Sequence, residues 1–176
     1  FDIKTKDEAD KIVKDLDGAD YIVQGIDKKE ESRSPLPPFT TSTLQQTAAK
    51  RLGFSAKQTM LIAQQLYEGI ELGGEGHVGL ITYMRTDSVN LSQESLKKAG
   101  DYILSALGDK YFEQRTYKTK SKSAQEAHEA VRPTEPSRTP ESISSHLTPQ
   151  QYKLYNLIWR RFIASQMPKA VFDSTA

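Results

Sequence analysis

A mainly α-helical domain with one short β-segment bearing a tyrosine is the fold class this sequence predicts. Three observations carry that reading. Capping signals followed by apolar stripes at helical spacing recur from end to end, and the β-prone runs are short. One such run, Val78 to Tyr83, gives out at a tyrosine set among hydroxyl and charged groups. A length of 176 residues suits one ordinary domain, or one domain with parts of another.

Thr5 and Glu8 form a capping-box pattern ahead of Ala9, Ile12, Val13 and Leu16, which predicts a short amphipathic helix over about residues 6 to 16. Tyr21 to Ile26 is β-prone and leads into the polar run DKKEESRS. Pro35, Pro37 and Pro38 then forbid regular structure, so a boundary is expected over residues 33 to 39. Ser42 and Gln45 suggest a second capping box, opening a helix to Arg51 that stops at Gly53. Ser55 starts another, with Met60, Ala63, Leu66, Tyr67 and Ile70 on one face. Together they make a helix-turn-helix-like hairpin, a shape found in DNA-binding folds and in plain packing units alike.

The segment LGGEGHVG, residues 72 to 79, lacks the Lys-Ser/Thr ending of a P-loop and opens no helix, so it reads as a flexible turn with His77 in an exposed loop. Val78 to Tyr83 follows as a strand. Ser92 caps a helix carrying Leu96, Ala99, Ile103 and Leu107, ended by Gly108. From Tyr111 to Lys122 cations and aromatics alternate, which fits a DNA-facing surface or a solvated loop. SAQEAHEAVRPT, residues 123 to 134, reads as a helix ending near Arg132, because Pro133 pushes its predecessor out of helical geometry. Thr148, Pro149 and Gln151 start a closing helix with Tyr155, Ile158, Trp159 and Phe162 on an aromatic stripe, and Pro168 stops it. KAVFDSTA reads as a departing strand.

Composition narrows the function classes. Lys and Arg number 24 against 23 Asp and Glu, a formal charge of +1, so affinity for nucleic acid must come from local patches. Without cysteine there are no disulfides and no thiolate zinc sites. No apolar run approaches the roughly 18 residues of a membrane span and no signal peptide opens the chain, so a soluble intracellular protein with no membrane partner is expected. The chain opens at Phe1 and closes on a run that resembles a strand cut short, which reads as a piece of a larger protein.

The chemistry concentrates in GLITYMRTDSVNLS, residues 79 to 92. A phenol with a pKa of about 10 is mostly protonated at neutral pH, so Tyr83 needs a base or positive charge beside it to act as a nucleophile. Arg85, two residues on, shares a face with Tyr83 if the backbone is extended, and its guanidinium fork matches two phosphate oxygens. Thr82, Thr86, Asp87 and Ser88 add short hydroxyls and an acceptor. Such a layout suits a tyrosine that attacks phosphodiesters. For a lone Tyr-x-Arg the plainer reading, a strand aromatic beside a solvated arginine and a turn to a helix cap, is the commoner one.

The whole fourteen-residue string closely resembles the active-site segment of type IA DNA topoisomerases, with Tyr83 at the position of the tyrosine that becomes covalently joined to a DNA strand end. SAQEAHEAVRPT is similar to a second segment of that family, whose histidine lies near the tyrosine. By that match His128 contributes to cleavage and religation, and Arg132 contacts phosphate. In AQQLYEG, Gln64 and Glu68 match polar positions around the tyrosine, four residues apart on one helical flank. Met84 favours bacterial topoisomerase I over topoisomerase III, which resembles this segment with proline there.

The resemblance implies a domain plan and a reaction. Residues 1–35 would be part of a β-rich arch domain, 36–168 the helical active-site tyrosine domain, and 169–176 a return strand to the arch. The implied activity is relaxation of negatively supercoiled DNA. One strand is cut, its 5′ end is held on Tyr83 as a phosphotyrosine, the other strand passes and the break is resealed without ATP. The implied partners are DNA, especially single-stranded segments, and the Toprim and other domains of the same polypeptide, in the cytoplasm at the bacterial nucleoid. Magnesium is implied for the full-length enzyme with its ligands outside this chain, since no acidic cluster that would mark the Toprim module is found here. The chain alone is therefore expected neither to cleave nor to relax DNA. Two other classes stay open at this point: a helical DNA-binding module whose tyrosine does no chemistry, and a purely structural interaction domain.

Overall fold

Local capping decides where most helices begin in the computed structural model, which describes residues 2–118 and 128–175. In α1 (Lys6–Leu16), Thr5 and Glu8 satisfy each other's backbone N–H groups. In α5 (Pro149–Ser165), Thr148 and Gln151 do the same, with Pro149 at the first helical position. Ser55 caps α3 (Ala56–Glu68) and Ser92 caps α4 (Gln93–Ala106). For α2 (Thr41–Leu52) the cap is Thr40, paired with Thr43, not Ser42 with Gln45. Thr40 wins because it is the residue held in extended geometry. At the other end Gly53, at φ 70°, adopts the left-handed turn that closes α2. Among the described residues the fold is mainly helical, as expected, and no helix is long and apolar enough to cross a membrane.

The strands depart further from expectation. Tyr21 to Ile26 forms no strand; β1 is instead the polar run Lys28–Arg33, paired with β4 (Ala170–Thr175) in a two-stranded sheet. Strand formation there follows the backbone partner rather than side-chain preference, which is the weaker influence in β structure. The glycine-rich segment makes a small antiparallel hairpin, β2 (Ile70–Glu71) with β3 (His77–Val78), in which Ile70 faces Val78 and Glu71 faces His77. Beyond Val78 the expected strand does not continue: the chain to Tyr83 holds only one isolated bridge, Ile81 to Pro133. Pro133 has no N–H to extend a ladder, and the Arg132 N–H donates to the Thr82 hydroxyl at 3.0 Å instead of to a backbone carbonyl. His128 to Thr134 is likewise not helical. Its backbone is spent on other segments: Ala130 N–H donates to Asn90, Val131 N–H to Phe39 and Thr134 N–H to Leu80.

The chain divides into two compact units, Phe1–Glu31 with Val171–Ala176, and Ser32–Ala170. In the smaller unit α1 buries no residue, and its apolar positions Val13 and Leu16 are exposed. The larger unit holds the core. There α2, α3 and α5 pack around Phe39, Leu44, Leu66, Leu154 and Ile158, and Leu80, Ile81 and Met84 of the tyrosine segment are buried with them. A satellite cluster joins Ala99 and Ile103 of α4 to Phe162 and Ile163. Gly100 lets the Phe112 ring in: a Cβ there would meet Phe112 Cζ at 2.8 Å. Arg115 and Tyr117, read as a possible DNA surface, are fasteners in the structure. Arg115 Nε donates to the Met167 carbonyl and Tyr117 Oη to that of Ser165. Lys120 and Lys122 of that run lie outside the described residues.

Tyr155 illustrates how tightly this core is satisfied. It is fully buried, its hydroxyl donates to the Arg138 carbonyl at 2.7 Å, and burial pushes its pKa far above that of a free phenol. Tyr155→Phe strands that carbonyl and should lower the unfolding free energy by about 1–2 kcal/mol in urea denaturation, with the slope of the transition unchanged.

Candidate active site

Tyr83 lies between two latches. On its N-terminal side, Thr82 N–H donates to the Arg132 carbonyl at 2.9 Å and Thr82 Oγ1 donates to that of Ala130 at 2.7 Å. On its C-terminal side the first residue of α2 takes hold: Thr41 Oγ1 donates to the Met84 carbonyl at 2.7 Å and Thr41 N–H to that of Thr86 at 2.9 Å. The Thr86 N–H returns a bond to Thr41 Oγ1 at 2.8 Å. Burial alternates along the segment: Met84, Thr86 and Ser88 are buried, while Tyr83, Arg85 and Asp87 are exposed. Tyr83 itself is 47% exposed although Met84 beside it is sealed completely.

Gly79 sets how closely this segment approaches α3. A Cβ on it would lie 2.8 Å from the Tyr67 carbonyl oxygen, and the Leu80 N–H donates to the Leu66 carbonyl at 2.7 Å. That contact brings the Tyr67 ring edge-on to the Tyr83 ring, with centroids 5.4 Å apart and planes 63° apart. Tyr67, Thr82, Tyr83, Thr86, His128 and Glu129 line one open cleft of about 290 Å³. Here two phenol rings and an imidazole face a shared space.

The residues singled out from the sequence are not all in that cleft. Tyr83, His128, Thr82 and Thr86 are; Arg85 is exposed but is not among the lining residues. Thr82 and Thr86 carry internal bonds, Thr86 Oγ1 accepting from the Ser88 N–H at 3.0 Å. Ser88 is buried and its Oγ accepts from the Asn90 N–H, whereas Asp87 is exposed. Gln64 Nε2 donates to Glu68 Oε1, so the two share a flank of α3 as their spacing implies. Arg132 is half-buried and ion-paired with Glu129 through Nη2, and its Nη1 donates to the Pro133 carbonyl.

Sequence reasoning missed three residues that shape the site. Tyr67 was assigned to the apolar face of α3, but Ile62 takes that place and Tyr67 is 41% exposed at the cleft. Thr41 gave no signal beyond its place at a helix start. Glu129 had one, a carboxylate three residues before an arginine. Its Oε1 also accepts from the Ser92 N–H at 2.7 Å, joining the cleft to the start of α4. Burial raises the Glu129 pKa, but bonds from Arg132 and Ser92 outweigh it and hold the carboxyl below the usual glutamate range. The sign follows: stability from this group is present above its ordinary pKa near 4.5 and is lost as pH falls below it. Glu129→Gln should therefore flatten the acid side of the stability–pH curve, which thermal unfolding between pH 6 and about 3 would measure.

Among the described residues no three His, Cys, Asp or Glu side chains come together in a way that could hold a metal ion.

Comparison with known proteins identifies the family. A family profile described as DNA topoisomerase matches residues 1–176. Full-length topoisomerase I from Thermotoga maritima is similar in structure, with a TM-score of 0.79 and 41% sequence identity over 94% of this chain. The match spans 26% of the Thermotoga protein, about a quarter of its length. A profile match along the whole sequence, joined to that likeness in fold, shows that the chain belongs to the bacterial type IA DNA topoisomerases.

Proposed function

We propose that this chain is the tyrosine-bearing part of an enzyme that relaxes negatively supercoiled DNA by cutting and resealing one strand. The observation that carries this reading is the exposed Tyr83 ring in a cleft shared with His128, on backbone anchored at both sides. In the proposed step, Tyr83 Oη bonds to phosphorus and the bond from phosphorus to the 3′ oxygen breaks. The 5′ end is left as a phosphotyrosine. The phenolic proton ends on the departing 3′ oxygen, with His128 as carrier, since imidazole takes and gives protons near neutrality. Arg85 holds the phosphate, and Tyr67 offers its ring to an adjoining base. Resealing reverses each transfer and needs no ATP, because the phosphotyrosine conserves the energy of the phosphodiester.

Single-stranded DNA and the remaining domains of the polypeptide are the partners in this reading. The ligands of the magnesium ion lie outside the chain, and none of the steps above is assigned to it. Two experiments test the proposal. Full-length protein mixed with single-stranded oligonucleotide and quenched with denaturant should yield a covalent adduct, and peptide mapping should find the nucleotide on Tyr83. An adduct on another residue overturns the assignment. Supercoiled plasmid incubated with the 176-residue chain alone should stay supercoiled. Relaxation by the chain alone would contradict the need for the missing module.

A further inference from the structure

On the larger unit, a groove of about 420 Å³ runs between the end of α2 and one stripe of α5, and it has no residue in common with the tyrosine cleft. Its lining includes four cations, Arg51, Lys153, Arg160 and Arg161, and no carboxylate. In a chain with 24 basic and 23 acidic residues such segregation is local, and it is unfavourable unless a polyanion compensates it. Arg161 is partly committed already. Its Nη1 donates to the Pro37 carbonyl, its guanidinium lies 4.2 Å from the Phe39 ring centroid, and burial and the charge of Arg51 lower its pKa. Arg51, Lys153 and Arg160 are exposed, and among the described residues none of them has an ion-pair or hydrogen-bond partner.

Shape narrows the ligand further. Lys153, Leu157, Arg160, Arg161 and Ala164 follow one another along a single face of α5, a line of about 16 Å at 1.5 Å per residue. A line of cations fits consecutive phosphates better than a lone anion, and arginine forks grip phosphate oxygens in pairs. Leu36, Leu52 and Leu157 give the groove an apolar side for sugars or base faces. We propose that this groove binds the backbone of single-stranded DNA at a second site, apart from Tyr83. The proposal rests on DNA being the substrate, but not on Tyr83 being the nucleophile.

The test compares two triple variants of the chain with matched charge: R51Q/K153Q/R160Q in the groove, and K57Q/K97Q/K110Q outside it. A fluorescent oligothymidine is titrated at several salt concentrations, after thermal unfolding confirms equal stability. Each lost phosphate contact removes about 0.7 from the slope of log affinity against log salt, so the groove variant should lose about 2. Its affinity at low salt should fall at least about tenfold, while the control variant loses less than half as much slope. Equal losses in the two variants, an unchanged slope, or no binding by the parent chain would each overturn the proposal. So would displacement of the oligonucleotide by polyglutamate as readily as by unlabelled oligothymidine, which would point to an acidic protein instead. Failure of the Tyr83 reading looks different: no adduct forms in the full-length protein, yet the groove variant still loses its slope.

Discussion

Tyr83→Phe is expected to reduce DNA cleavage by the full-length protein at least about 10⁴-fold, the scale on which enzymes lose activity when a covalent nucleophile is removed. Only one oxygen is deleted. The ring keeps its edge-on contact with Tyr67, and the latches through Thr41 and Thr82 involve backbone and neighbouring side chains. Unfolding should therefore shift by no more than about 0.5 kcal/mol, the usual limit for an exposed position. Affinity for single-stranded oligonucleotide should persist. Adduct yield after a denaturing quench and the thermal midpoint are the two measurements. Cleavage surviving within tenfold of the parent would remove Tyr83 from the chemistry altogether.

Gly79→Ala should damage both fold and cleavage, although it adds one methyl group and removes no side chain of the cleft. The new Cβ would stand 2.8 Å from the Tyr67 carbonyl oxygen, which is backbone at the end of α3 and cannot swing aside. The Leu80 N–H bond to Leu66 and the Thr134 Oγ1 bond to the Gly79 carbonyl, 2.7 and 2.8 Å long, pin the glycine from its other sides. Either those bonds stretch or the last turn of α3 moves. A loss of about 2 kcal/mol is expected, within the roughly 1–3 kcal/mol typical of overpacking, and urea denaturation measures it. Because the same contact sets the spacing of Tyr67 and Tyr83, adduct yield should fall even where the variant remains folded. A variant as stable as its parent would show that the approach is slack.

The parts of this fold that were legible in the sequence are those fixed by near neighbours. The caps of α1 and α5 need only residues three apart, and both appear as read. That Tyr83 and Arg85 are both exposed, with Met84 buried between them, matches simple alternation. What stayed hidden depends on distant partners. β1 is polar and is a strand because β4 pairs with it. Residues 128 to 134 look helical in composition but are extended, because Phe39, Leu80, Thr82 and Asn90 bond their backbone. Glu129 belongs to the site through Ser92, 37 residues away, and no local pattern announces such a bond.

Anchoring on both sides of Tyr83 has a mechanical consequence. Thr82 is stitched to the segment around Arg132, Met84 is sunk in the core, and the next turn of chain is clasped by the start of α2. A nucleic-acid terminus bonded to that phenol would have only the torsions of the Tyr83 side chain as a hinge, since the backbone on both sides is held. It would travel as cargo on a stiff lever, and separating the two broken ends would take bulk displacement of the helical body instead of local swivelling.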